Sequence, residues 1–173
     1  MRYRSFILRP EENPHAKFDA YLSAHWKGAQ VQEEGGRFLL WEKGGRFPSS
    51  SMPALEAAKG VEAQGGDLFI RYHFALLTAL FEENLDISDP QVLLSVASSV
   101  GADCDRLSRE LEVGCHRNVV WAEHDQAVKQ FRIHSVPTVV FAGKRLVVGA
   151  VPREVYQRAI EDLLVEEQRE CPS

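Results

Sequence analysis

The chain has 173 residues, 45% of them hydrophobic and 26% charged, which is enough for one good globular core. Its formal net charge of -5, with no basic run, argues against a nucleic-acid partner. No apolar run reaches the roughly 18 residues that a membrane helix requires, so no membrane partner is expected either.

The opening MRYRSFILRPEE lacks the long apolar stretch and small-residue cleavage site of a signal peptide. The weak alternation over residues 2–8 predicts a strand, broken at Arg9-Pro10. Phe18, Tyr21, Leu22 and Trp26 have helical spacing, which predicts a helix from residue 14 to about 30. Residues 33–50 are rich in glycine and charge and read as a loop that packs through Phe38, Leu39, Leu40 and Trp41. Ser51 is the expected N-cap of a helix over 52–64, stopped by Gly65-Gly66, and Asp67 the expected cap of the next. That next helix, over 68–83, is apolar round most of its circumference and so belongs at the centre of a bundle. Ser88 is expected to cap a helix running to about residue 100, with a short helix over 105–113 and a longer one over 115–131 after it. Val139-Val140-Phe141 and residues 145–149, joined by Ala142-Gly143-Lys144, read as an antiparallel hairpin. A last helix over 153–167 should bury Val155, Ile160, Leu163 and Leu164.

The three cysteines, Cys104, Cys115 and Cys171, are widely spaced and odd in number. That fits a reducing compartment, hence the cytoplasm, and no disulfide framework. Cys104 and Cys115 read as small buried or half-buried residues, and Cys171 lies in a polar tail. The spacing of Cys115, His116 and His124 matches no common zinc site, so no metal is expected. His134 lies near a proline loop and reads as an exposed loop residue. The acidic stretch Glu82, Glu83, Asp86 and Asp89 reads as helix capping and a solvated face. Trp26, Trp41 and Trp121 read as packing residues. There is no phosphate loop, no G-x-S-x-G and no H-E-x-x-H, and no cofactor is expected.

One series of landmarks adds to this. Ser5-Phe6-Ile7-Leu8-Arg9-Pro10-Glu11, Pro53-Ala54-Leu55-Glu56-Ala57, Phe81 to Asp89, Val136-Pro137-Thr138 and Gly149-Ala150 follow one another in order along nearly the whole chain. In that order and spacing the chain resembles the DsbA family, in the branch of FrnE-like proteins and 2-hydroxychromene-2-carboxylate isomerases. The resemblance implies an α/β, thioredoxin-like fold with an inserted all-helical domain. Residues 1–13 and 132–173 would form an incomplete thioredoxin-like domain, and residues 14–131 the insertion. It further implies a cis Val136-Pro137 bond, although only about 5% of X–Pro bonds are cis in folded proteins. Val136, Pro137 and Thr138 would then form a loop that binds an extended peptide or thiol substrate.

The family's N-terminal βα unit, with its Cys-x-x-C or serine-containing loop, has no counterpart here. Dithiol catalysis needs an activated thiol and a second thiol within reach, so no catalytic residue is expected in this chain. Without the first strand, residues 2–8 and the hairpin should face a gap. A start upstream of Met1 would close it best, with a strand from another chain or a distorted three-stranded sheet as alternatives. Three functions follow as expectations. The chain is a disulfide oxidoreductase relative that is inactive as it stands, a redox-inactive binding or scaffold protein that forms a homodimer, or a glutathione-dependent isomerase.

Overall fold

In a computed structural model, residues 1–31, 37–41 and 46–170 are described, the side chains of 167–170 excepted. They divide into two units, Met1–His124 and Asp125–Ser173. The first unit carries α1 (Ala20–Gln30), α2 (Met52–Glu62), α3 (Gly66–Phe81), α4 (Pro90–Ser99), α5 (Cys104–Glu112) and most of α6 (Arg117–Lys129). The second carries β1 (Thr138–Phe141), β2 (Arg145–Val148) and α7 (Arg153–Glu170).

Helices α1, α4 and α5 start where short acidic side chains answer unpaired N–H groups. Asp19 accepts from Leu22 N at 2.9 Å, Asp89 from Gln91 N at 2.8 Å and Asp103 from Arg106 N at 2.9 Å. Two expected caps are corrected, while Ser51 stands at the N-cap of α2 as expected but does not cap it with its side chain. Asp89, not Ser88, caps α4, because the Ser88 hydroxyl is held by Asp86 and Ser49. The Ser51 hydroxyl makes no bond to α2; it meets Arg9 N and Arg9 O, and Ser50 takes the Met52 N–H instead. Gly65 precedes α3 at φ 154° and offers no capping side chain, while Asp67 lies inside the first turn.

The main core joins α2, α3, α4 and α5 through Ala57, Val61, Tyr72, Leu93, Ala97 and Leu107. The Tyr72 hydroxyl donates to Leu93 O at 3.3 Å, and burial, then the neighbouring Cys104, pushes its phenol well above the usual range. Gly60 lets α2 and α5 approach: a Cβ there would lie 2.6 Å from Leu107 Cδ1. A second cluster sets Trp26, Trp41 and Phe47 with Phe38 and Phe81 in edge-to-face contacts. Within the expected loop, Trp41 is buried but Leu39 and Leu40 are exposed; residues 33–36 and 42–45 lie outside the described residues.

Helix α3 is not enclosed on all sides. Phe69, Tyr72, Leu76 and Ala79 are buried, while Ile70, Phe74 and Leu77 form an exposed stripe. A helix needs only one buried face to be held, and four helices of this length enclose only one.

Residues 2–8 correct the expected strand, for they have no strand partner among the described residues. The segment is nevertheless held: Ser5 N donates to Glu123 Oε2 at 2.7 Å and Ile7 N to His124 Nδ1 at 3.2 Å. Alternate amides of one extended edge are thus answered by side chains of α6 instead of by a neighbouring strand.

In the second unit β1 and β2 pair antiparallel, Thr138 opposite Val148 and Phe141 opposite Arg145. The Val136-Pro137 peptide is cis. Helix α7 buries Ala159 and Leu163, but Val155, Ile160 and Leu164 are exposed, against expectation. A two-stranded hairpin is too narrow to cover a wider helix face.

Candidate functional site

Chemistry of the cysteines depends on their separation. Cys104 opens α5 and Cys115 follows its end, so nine helical residues at about 1.5 Å each put them about 13 Å apart. A disulfide needs Cα atoms within about 7 Å, so these two cannot pair without unfolding the helix. The Cys104 thiol is half-buried and points to Leu94 O and Ala102 O at 3.6 and 3.5 Å. Cys115 is exposed, not buried as expected, because it lies in the turn between α5 and α6. Cys171 lies outside the described residues. The histidines beside these positions have other tasks. His116 Nε2 is 2.9 Å from Glu110 Oε2, and His124 Nδ1 accepts the Ile7 N–H.

The loop before β1 is anchored from both sides. Buried Ile133 ties back through its N–H to Ala127 O at 3.0 Å. Gly149 N donates to Pro137 O at 2.8 Å, the Thr138 hydroxyl donates to Ser135 O at 2.7 Å, and the Tyr156 hydroxyl of α7 donates to Gly149 O at 3.0 Å. Gly149 sits at φ 90°, where a side chain would be strained. Between these anchors Val136 and Pro137 are exposed, as is His134. The hairpin register directs the backbone groups of Val139 and Phe141 toward β2 and those of Thr138 and Val140 away from it. The loop therefore presents an apolar tip beside a strand edge that pairs with no other strand among the described residues.

A second feature was not visible in the sequence. In the first unit the N-termini of α2 and α4 border a cavity of about 670 Å³. Glu56, buried to 3% exposure, lines it and accepts from Arg117 Nε at 2.9 Å. Trp121, one turn beyond Arg117 on α6, also lines it and is 41% exposed, which corrects its reading as a packing residue.

Below the cavity's helices lies a buried ion network. Glu123 accepts from Lys59 Nζ at 2.8 Å and Arg4 Nη1 at 2.7 Å besides the Ser5 amide. Burial alone would raise the Glu123 carboxyl, but the bonds from Lys59, Ser5 and Arg4 outweigh it and hold the group below the ordinary carboxylate range.

Comparison with known proteins places this geometry. A solved structure described as "a putative protein disulfide isomerase from Nitrosomonas europaea" superposes over 91% of this chain and 79% of its own, with a TM-score of 0.76 at 17% identity. The likeness shows a thioredoxin fold of the DsbA type, in which the helices outnumber the strands. The uncharacterized protein YwbO of Bacillus subtilis (strain 168) is 29% identical over 91 residues, 53% of this chain. That match spans 45% of the length of YwbO. The family model of the DSBA-like thioredoxin domain matches residues 41–161, from Trp41 through the proline loop and the hairpin into α7. The chain belongs to the DSBA-like thioredoxin domain family.

Proposed function

We propose that this chain is a substrate-binding member of its family, which seats an extended peptide or thiol substrate at Val136-Pro137-Thr138 and performs no dithiol–disulfide exchange by itself. The observation that carries the reading is the anchored loop, whose exposed apolar tip adjoins the outward-facing backbone groups of Thr138 and Val140. Such an edge can accept main-chain hydrogen bonds from an added strand, with Val136 contributing a side-chain contact. Binding of this kind requires a firm backbone, and four hydrogen bonds hold this one. The reading keeps residues 1–13 and 132–173 as the thioredoxin-like part and residues 14–131 as the helical insertion.

The redox half of the reading rests on chemistry. Exchange needs an attacking thiol and a resolving thiol within one disulfide's reach. Cys104 and Cys115 stand at opposite ends of α5, and no two cysteines of the chain are spaced Cys-x-x-C.

Insulin reduction by the purified chain tests this half. The expected turbidity rate equals that of a free-thiol control; a rate well above it would overturn the reading. Backbone amide NMR with alkylated insulin B chain tests the other half. Shifts should concentrate at residues 136–140 and weaken in Val136→Asp. Shifts that avoid that stretch would remove the loop as the binding site.

A further inference from the structure

Helix α3 turns outward an apolar face with the features of a self-complementary interface. Ile70, Phe74 and Leu77 are exposed, Phe74 to 55%, and they follow one another at the alternating spacing of a paired-helix seam. Single exposed apolar residues are ordinary, but a contiguous stripe along one helix marks an interaction face. One side of the stripe is closed by Tyr3 and Phe69, which pack on His73. The other side opens into a hollow of about 380 Å³, lined by Ala75 and Thr78 of α3 and Ser95, Val96 and Ser99 of α4. A knob and a hole thus stand side by side on one surface.

Charge follows the same pattern. Arg71, in the first half of α3, and Glu82, at its C-cap, are about three turns apart and so share the edge that borders the hollow. Among the described residues neither has an ion-pair partner. Glu82 and Glu83 end a helix that has no basic residue in its last turn, which sets negative charge at the negative end of the dipole. An arginine brought to that end would answer it.

A second copy brings one. A two-fold axis across α3 sets the helix antiparallel to its copy, each edge against itself with the heights reversed. Arg71 of each chain then meets Glu82 of the other, and Phe74 comes level with the other chain's Thr78, at the hollow. Another protein would have to present a knob, a hole and both charges in matching order. A second copy has them by symmetry.

We propose that the chain associates with a second copy of itself through antiparallel α3 helices, with Phe74 of each seated in the hollow of the other and Arg71 paired with Glu82 across the interface. Sixteen residues at about 1.5 Å each make α3 about 24 Å long, and one helix face of that length falls short of the roughly 800 Å² per partner of a standard interface. The dimer is therefore weak, with a Kd of about 10–100 µM. Stripe, hollow and charges all belong to the first unit, so the proposal stands independently of the proline-loop reading.

Sedimentation equilibrium of the full chain between about 5 and 500 µM should show the mass rising from 19.5 kDa toward twice that value. Phe74→Glu, at an exposed position, should weaken association at least about twentyfold with the circular dichroism spectrum unchanged. Arg71→Glu and Glu82→Arg should each weaken it about fivefold, and the two together should restore it to within about twofold of the original chain. Both charge changes suit the helix dipole, so their effect on association is not a loss of α3. A chain that stays monomeric at about 500 µM overturns the proposal and leaves the stripe to another protein. Association that survives Phe74→Glu places the interface elsewhere, and a double variant no better than the single ones excludes the antiparallel pairing; either result also overturns it.

Discussion

Glu123 ties together three stretches that are remote in sequence: the Arg4-Ser5 segment, Lys59 on α2 and its own helix α6. Glu123 and Lys59 are almost wholly buried, at 7% and 8% side-chain exposure, so removing the Glu123 charge leaves Lys59 only the part-exposed Glu62, 2.7 Å away, as counter-charge. Glu123→Gln should therefore cost about 3 kcal/mol in urea unfolding at neutral pH. The folded carboxyl titrates below its unfolded value of about 4.3, so this stabilisation is complete above that value and is lost as pH falls through the folded one. The gap between wild type and variant should close in acid; a gap that widens instead would refute the assignment. Thiols divide in the same local way. With a disulfide reagent under native conditions, exposed Cys115 should react at least about tenfold faster than Cys104, whose thiol is directed at two carbonyls. The network around Glu123 was illegible in the sequence, because its partners lie up to 119 positions away and nothing local marks Arg4 or Lys59 as members.

At the scale of elements, the contact of α2 with α5 turns on a single missing side chain. Alanine is the better helix former by about 1 kcal/mol, yet a Cβ at Gly60 would stand 2.6 Å from the fully buried Leu107 side chain and 3.1 Å from Glu110 Oε2. Gly60→Ala should thus destabilise by about 2 kcal/mol and lower Tm by several degrees. A rise in Tm would mean that propensity wins and the two helices can part. The hairpin illustrates the other side of legibility. Val139 to Phe141, the turn at Ala142 to Lys144 and the strand after it were readable because β-branched runs and a glycine turn carry their own local signals. The α7 face was misread, since Val155, Ile160 and Leu164 have helical spacing but no neighbour wide enough to cover them. Ile70, Phe74 and Leu77 on α3 repeat that lesson.

For the whole molecule, burial is concentrated in the first unit, where the main core joins four helices. Among the described residues, the second unit buries only the apolar side chains of Ile133, Val147, Ala159 and Leu163. Amides of α2 to α5 should accordingly exchange at least about a hundredfold more slowly than those of 138–148, as read by hydrogen exchange with mass spectrometry. Equal protection would show that one cooperative unit governs both. No helix among the described residues is long and apolar enough to cross a membrane. By itself the sequence determined which helices and which hairpin form, because period and turn chemistry act over a few neighbouring residues, and it determined the family through the order of short landmarks along the chain. Only the tertiary structure decided that residues 2–8 rest on α6 side chains, that the apolar faces of α3 and α7 stay partly open, and that Glu56 and Trp121 meet in one cavity. Those outcomes depend on which surfaces remain after distant elements pack, and on where a buried charge finds its counter-charge.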